Sequence, residues 1–498
     1  MIDDTSAQSR PKTAMPAKRG RLARRTFHAG IDNWGQQGFQ LLSFLYVGNV
    51  LGPEIVGVFA SALLYHMLVS ALFVQSFSET IVQKKDITPE HRAAVFWFSV
   101  GLGFAMAAVS LLLARGVAAA FRRPEIAELL YALAIVYPML GVSSYCVETL
   151  RRGLNFRWLA LRTVISGAAA SALAIAMVSY GFGVWSLVGY HVCWRACDFV
   201  VLLLVADWRP RSGFSIARFR EVAHYGFHAM GLRLLAYVSM HLDRIVVALF
   251  LGPAPLGIYV MGHRIVRALT HALTGVFHNV SLAVFSRLQS HRRVLSRAYS
   301  NATQISNLIG FPVFVGLAVV ADPLVAALLK PEWQPLVPVL QIFCLGGVLA
   351  TVIYIQAAAL RALGAIKIVF WGQLALTLAK LVLLLVVLQF GLIAVAVAVS
   401  AFSLLTLPLW QIFLNRRLNS GMLGFIASFL PAAWSCATMA AVTLIASQLI
   451  ADDVSAAARL LVLVPIGAVT YFACLVVTSP SSIALIKTFR RMRVPQAS

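Results

Sequence analysis

Apolar stretches about twenty residues long follow one another along the chain from residue 27 to residue 478, with short polar breaks between them. At a rise of about 1.5 Å per residue, a helix of that length reaches across the roughly 30 Å hydrocarbon core of a bilayer. The pattern predicts spans near 27–48, 55–77, 94–114, 126–147, 162–180, 184–206, 222–250, 256–286, 302–321, 336–358, 367–389, 392–414, 424–449 and 457–478. That makes about fourteen helices and no fewer than twelve, the first being polar and the last pair the least marked. Barrel strands would alternate apolar and polar positions, whereas these runs are continuous, and helices satisfy their own backbone hydrogen bonds in lipid. The expected fold is an all-α integral membrane protein.

Within that pattern the chain repeats itself. LGPEIVGVF at residues 51–59 returns as LGPAPLGIY at 251–259, and FHA at 27–29 returns as FHA at 227–229, both 200 positions later. RPEIAELLYALAI from Arg123 is answered by KPEWQPLVPVLQI from Lys330, at an offset of 207. LRRGLNFRW from Leu150 faces LRALGAIKI from Leu360, and YGFGVWSLV from Tyr180 faces FGLIAVAVA from Phe390, both at 210. Collinear matches with a slowly drifting offset mark two homologous halves, near 25–206 and 222–414. The expected organisation is a disordered basic tail (1–25), a six-helix lobe (26–221), its six-helix repeat (222–415), two extra helices (416–480) and a second basic tail (481–498).

Composition and charge sharpen this reading. A chain that is 60% hydrophobic and 12% charged is not a soluble protein. Its net charge of +23 is distributed as an alternation. The N-terminal tail holds Lys18, Arg19, Arg21, Arg24 and Arg25, and beyond it Lys84 and Lys85, Arg151 and Arg152, Arg292 and Arg293, and Arg416 and Arg417 fall in alternate connections. This is the positive-inside pattern, and it places both termini in the cytoplasm. It also makes a nucleic-acid partner unnecessary. The first basic residues are expected to lie against anionic headgroups and not to form a signal peptide, since the following segment is interrupted by Asp32, Asn33, Gln36, Gln37 and Gln40. All six cysteines fall inside expected spans and read as buried thiols, not as a metal or disulfide site. No P-loop, G-x-S-x-G or H-E-x-x-H motif is present, no cofactor is expected, and the longest outer connection, 321–335, carries only Asp322, Lys330 and Glu332. An enzyme working at the outer surface would have few groups to work with.

Charge inside the spans is the unusual feature, because ionisable groups at membrane depth are expensive and mark function by default. Arg264, Arg267, His271, Thr274 and His278 are spaced 3, 4, 3 and 4 apart. At about 100° per residue they share a sector of roughly 80°, a cationic stripe that cannot face lipid. The preceding span adds Arg233 and Arg244, with Asp243 beside Arg244 as an ion pair or a gating element. Asp32, Gln36 and Gln40 line one face of the first span. Arg195, three residues from Asp198, and Lys380 are further candidates, and Glu148 with Arg151 reads as a structural pair at a helix end. Duplicated helical halves with polar groups buried between them describe a secondary transporter that rocks about a midplane site. A cationic interior points to an anionic cargo.

The phrases YVGNVLGPEIVGVFASA from Tyr46, VQKKDITPEH at 82–91, HLDRIVVALFLGPAPLGIYVMGHRI from His241 and ADPLVAALLKPEWQPLVPVLQI from Ala321 together resemble the polysaccharide-transporter branch of the multidrug/oligosaccharidyl-lipid/polysaccharide (MOP) flippase superfamily. The resemblance implies two pseudo-symmetric lobes around a V-shaped cavity in a bacterial inner membrane. It implies a polyprenyl-pyrophosphate-linked oligosaccharide as substrate, moved from the cytoplasmic to the periplasmic leaflet by alternating access for exopolysaccharide, capsule or O-antigen synthesis. The stripe (Arg264, Arg267, His271, His278) with Arg233, Arg195 and Lys380 would meet the pyrophosphate, and Asp32, Asp243 and Arg244 would couple or gate. Membrane lipid, a polysaccharide polymerase and chain-length machinery are the expected partners of a monomer. The competing readings are a lipid-linked peptidoglycan precursor flippase, a multidrug antiporter, which would need an acidic cavity, and a membrane polymerase or ligase.

Overall fold

A computed structural model describes residues 16–78, 88–153, 155–205, 215–364, 366–451 and 453–479. Among these residues every regular element is a helix. Pro16–Ser78 is one helical run broken at Gly52, whose φ of 81° and ψ of 169° divide it into α1 (16–51) and α2 (53–78). Then come α3 (Pro89–Ala120), α4 (Glu125–Ala134), α5 (Val136–Arg152), α6 (Phe156–Ser179), α7 (Trp185–Val205), α8 (Ile216–Phe250) and α9 (Pro253–Leu288). They are followed by α10 (Arg292–Val319), α11 (Ala321–Leu328), α12 (Leu336–Ala362), α13 (Ile366–Val387), α14 (Gly391–Leu418), α15 (Met422–Ala427), α16 (Leu430–Leu449) and α17 (Ala456–Thr478).

Local chemistry sets the ends. Thr88 caps α3, its hydroxyl accepting from the His91 N–H at 3.4 Å, with Pro89 at the first helical position. Ser455 caps α17 in the same way through Ala458, at 3.3 Å. α1 begins at Pro16, inside the stretch expected to be a disordered tail, because Pro suits a first turn and the Ala, Lys, Arg and Leu that follow are strong helix formers. The rest of that tail, and the C-terminal tail from 481, lie outside the described residues.

Nine helical stretches among the described residues are long and apolar enough to cross a bilayer, and ten if α4 and α5, bent by 41°, count as one span. Three of the nine contain a break: Gly52 divides the stretch 35–70, a single 3₁₀ turn, Leu388–Phe390, divides 368–418 before Gly391 (φ 84°), and residues 428–429 separate α15 from α16 within 422–449. The long helices α8 and α9 stand outside the nine, and they carry the charges discussed below. Leu112, Leu204, Leu449 and Val477 are each 81% exposed, which suits side chains facing lipid tails and would be costly in water.

The repeated phrases meet in space. Gly252 has the backbone of Gly52, φ 87° and ψ −174°, a conformation open essentially to glycine alone. In each phrase it ends one helix and lets a proline start the next. A Cβ on Gly57 would stand 1.8 Å from the Pro253 carbonyl oxygen, and one on Gly257 would stand 1.9 Å from the Pro53 carbonyl oxygen. The first turns of α2 and α9 thus pack backbone on backbone, each phrase seating the glycine of the other. Trp333, fully buried from the 3₁₀ turn Pro331–Trp333, packs in the same core with Val56, Leu256 and Tyr259. Lys330 ties that turn to α1, its N–H donating to Asn49 Oδ1 at 2.6 Å and its Nζ to the Val50 carbonyl at 3.2 Å. Elsewhere α6 packs on α1 through Gly167 against Phe39 and a Ser43 to Ser171 hydrogen bond of 2.7 Å, while α17 joins α10 through Tyr471, whose hydroxyl donates to the Leu308 carbonyl at 2.8 Å.

Candidate functional site

α9 leaves the glycine contact and carries Arg264 and Arg267 into the space between α1, α2 and α8. These arginines are three residues apart and so share a face. The Arg264 guanidinium carbon stands 3.7 Å from the centre of the Phe44 ring, a cation–π contact worth about 0.5–2 kcal/mol, and its Nη1 reaches the Gln40 carbonyl at 3.5 Å. α8 supplies Arg244, which is held from two sides. Its Nη1 donates to His241 Nδ1 at 3.1 Å and its Nη2 to His263 Nδ1 at 2.8 Å, so both imidazoles serve as acceptors. Arg244, Arg264 and Arg267 line one cavity of about 110 Å³ together with Gln37, Gln40 and His241. A smaller cavity of about 30 Å³, walled by Ser43, Tyr190 and His191, shares Gln40, Met67 and Arg264 with the first, so Arg264 stands where the two adjoin.

The cavity carries three guanidinium groups, and none of its lining residues is acidic among the described residues. The nearby acid is turned away from it. Asp243, 2% exposed, accepts from the Tyr259 hydroxyl at 2.5 Å and from Lys380 Nζ at 3.4 Å. Successive residues on a helix point in different directions, and Asp243 and Arg244, read from the sequence as an ion pair or a gating element, engage different partners. Three forked donors around one opening, with their nearest carboxylate satisfied elsewhere, suit a diphosphate, whose oxygens accept paired N–H bonds from guanidinium.

The other expected site residues fall in different places. His271 continues the α9 face beyond the cavity, its ring 6.4 Å from that of Tyr354. Arg233 lies on α8 eleven residues before Arg244 and is not among the residues lining the arginine cavity. Arg195 on α7 meets Asp198 at 3.8 Å, and the same carboxylate takes Arg162 of α6 at 3.3 Å, an ion-paired cluster between two helices. Glu148 pairs with Arg151 at 2.8 Å. The side chains of Asp32, Thr274 and His278 lie outside the described residues. All six cysteines are free thiols, with the Cys193 and Cys197 sulfurs 3.9 Å apart. No group of three or more His, Cys, Asp or Glu among the described residues could hold a metal ion. Sequence reasoning passed over His241, His263 and Tyr259. A signal existed for the histidines: His241 precedes Arg244 by three residues and His263 adjoins Arg264, so both flank charges already singled out.

Comparison with known proteins agrees with this architecture. The succinoglycan biosynthesis transport protein ExoT of Rhizobium meliloti is 23% identical over 344 residues, covering 69% of this chain and 70% of its own. Among solved structures, the lipid II flippase MurJ in an inward closed conformation superposes with a TM-score of 0.75 at 15% identity, over 91% of this chain and 99% of its own. An inward-facing multidrug resistance MATE transporter of the MOP superfamily gives a TM-score of 0.63 at 19% identity, over 77% of this chain and 94% of its own. The fold is that of these multi-pass membrane transporters. Residues 48–338, more than half of the chain, match the family described as polysaccharide biosynthesis protein, and the chain belongs to that family.

Proposed function

We propose that this protein is a flippase that moves oligosaccharides linked to polyprenyl pyrophosphate across the membrane for polysaccharide biosynthesis. The observation that carries the reading is the cavity lined by Arg244, Arg264 and Arg267 and by no acid among the described residues. Such a site binds the pyrophosphate, the part of the substrate that resists entry into lipid. In this reading α1 to α7 and α8 to α14 form two pseudo-symmetric lobes of a bundle of about fourteen spans, with a V-shaped cavity between them. The break at Gly52 and the 3₁₀ turn at 388–390 each divide a continuous apolar stretch into two spans, and the charged α8 and α9 add two more. Both termini are cytoplasmic, the membrane is the bacterial inner membrane, and the paired LGP phrases close the periplasmic side. The protein works as a monomer beside a polymerase and its chain-length machinery. Asp243 with Lys380 serves the gate, and Arg195 serves structure.

The succinoglycan transport relative and the family match support transport of a polysaccharide precursor over polymerisation or ligation. A multidrug cation cargo fits poorly, since such a cargo wants carboxylates where this cavity has guanidiniums. The test uses sealed proteoliposomes with a labelled polyprenyl-pyrophosphate oligosaccharide in one leaflet, following its exposure in the other. Each guanidinium hydrogen bond to a phosphate contributes about 1.5–3 kcal/mol, so Arg264→Ala with Arg267→Ala is expected to lower transfer about a hundredfold or more. Undiminished transfer in the double variant removes the arginines from the path. Growth or release of the sugar chain without transfer overturns the flippase reading in favour of an enzyme.

A further inference from the structure

A second polar cavity lies on the other side of α8. Ser239 and Asp243, four residues apart, face α13, whereas His241 and Arg244 face the arginine cavity, so α8 forms the partition between two chambers. The second chamber, about 190 Å³, is enclosed by α8, α12, α13 and α14 and is lined by Ser239, Gln373, Thr377, Lys380, Ser403 and Trp410, among others. α13 turns Ile368, Trp371, Leu378 and Val382 outward, each at least 45% exposed. Gln373, Thr377 and Lys380, at spacings of 4 and 3, give it a second, polar face toward the chamber. A polar face at membrane depth stands where it meets water or a polar ligand.

We infer that this chamber is a saccharide subsite, one that takes a sugar ring of the substrate's oligosaccharide; the inference rests on the flippase reading above. Its chemistry differs from that of the arginine cavity. The Thr377 hydroxyl donates to the Gln373 carbonyl at 2.7 Å and the Ser403 hydroxyl donates to the Val399 carbonyl at 3.1 Å. Hydroxyls whose hydrogens are spent on their own helix keep lone pairs that accept. Gln373 Nε2 donates to Ser239 Oγ at 3.0 Å, Ser239 in turn hydrogen-bonds Thr377, and the Gln373 amide retains its oxygen as an acceptor. Lys380 adds N–H donors, but its charge is offset by Asp243 at 3.4 Å, so the chamber is polar without being an anion trap. Paired donors and acceptors of low net charge match sugar hydroxyls, each of which both donates and accepts. A phosphate, which only accepts, is better served across the partition. Trp410 supplies an aromatic wall for the C–H face of a pyranose, and it is seated by Gly372, where a Cβ would come within 2.6 Å of the indole.

The experiment compares two carriers in the proteoliposome assay, polyprenyl pyrophosphate bearing an oligosaccharide of glucose and galactose and bare polyprenyl pyrophosphate. The variants are Gln373→Ala and Ser403→Ala, singly and together; Gln373 is exposed to the chamber and its loss leaves no cavity in the core. The combined variant is expected to move the sugar-bearing carrier at least tenfold more slowly and the bare carrier at the wild-type rate within twofold. Equal losses on both carriers, or no loss on either, overturn the subsite. Wild-type protein that moves neither carrier overturns the flippase reading instead. The chamber is then decided by saturation-transfer NMR with the soluble oligosaccharide: signal lost in the combined variant supports the subsite, and signal absent from wild type or unchanged in the variant overturns it.

Discussion

Asp243 has a cation beside it on its own helix and another on α13, and its chemistry is decided by which of them it meets. Lys380 at 3.4 Å and Tyr259 at 2.5 Å hold it, while Arg244 beside it in sequence is held by His241 and His263. Removing one partner of a buried pair leaves an uncompensated charge, at a cost of about 3–5 kcal/mol, whereas replacing both with neutral groups is far milder. Lys380→Met is therefore expected to lower the thermal unfolding temperature of the purified protein in detergent by several degrees. Lys380→Met combined with Asp243→Asn is expected to recover most of that loss. A double variant no more stable than the single one shows that Lys380 stabilises by packing alone. The residues of this network were partly legible beforehand. Arg264, Arg267 and Arg244 stood out because cations at membrane depth are rare and their spacing is helical. The pairing of Asp243 with Lys380 was not legible, since the two are 137 positions apart and pairing across that distance is a property of helix packing.

The contact between the two LGP phrases has a consequence for the moving elements. Because Gly57 and Gly257 each lie against a backbone carbonyl and not a flexible side chain, no local repacking admits a methyl group. Gly57→Ala or Gly257→Ala is expected to separate the first turns of α2 and α9 and shift the protein away from the arrangement in which the two phrases touch. Spin labels at Glu54 and Lys330, both exposed and near this contact, should report a longer distance in either variant. Gly116→Ala, where a Cβ would meet open space, should leave the distance unchanged. An unchanged distance in all three shows that the crossing is not a latch. The repeat that exposed this element was visible as letters, LGPEIVG and LGPAPLG, and the shared spacing carried through to the backbone: Gly181 and Gly391, aligned at an offset of 210, both adopt positive φ, 80° and 84°. What the letters could not give is that the copies touch, because a repeat fixes similarity of conformation and says nothing of where the two copies lie.

At the scale of the molecule, the charge pattern and the cavities have to agree on a direction. The end of α9 and the start of α10, on either side of their short connection, are rich in arginine, with Arg287, Arg292, Arg293 and Arg297, whereas the segment from α11 to the 3₁₀ turn carries little charge and packs over the LGP contact. The positive-inside rule predicts the first in the cytoplasm and the second in the periplasm. On the proposed orientation the glycine contact would seal the outer side, and the arginine cavity, between that seal and the inner face, would receive a pyrophosphate from the cytoplasmic leaflet. In a cysteine-free background, Arg293→Cys and Glu332→Cys put a thiol at an exposed position in each connection. A membrane-impermeant maleimide added to right-side-out vesicles should label the cysteine at 332 and reach the one at 293 only after the vesicles are opened. Reversed labelling would turn the seal toward the cytoplasm and leave the arginines open to the wrong leaflet for export, so the direction of transport, though not the anion site, stands or falls with this measurement.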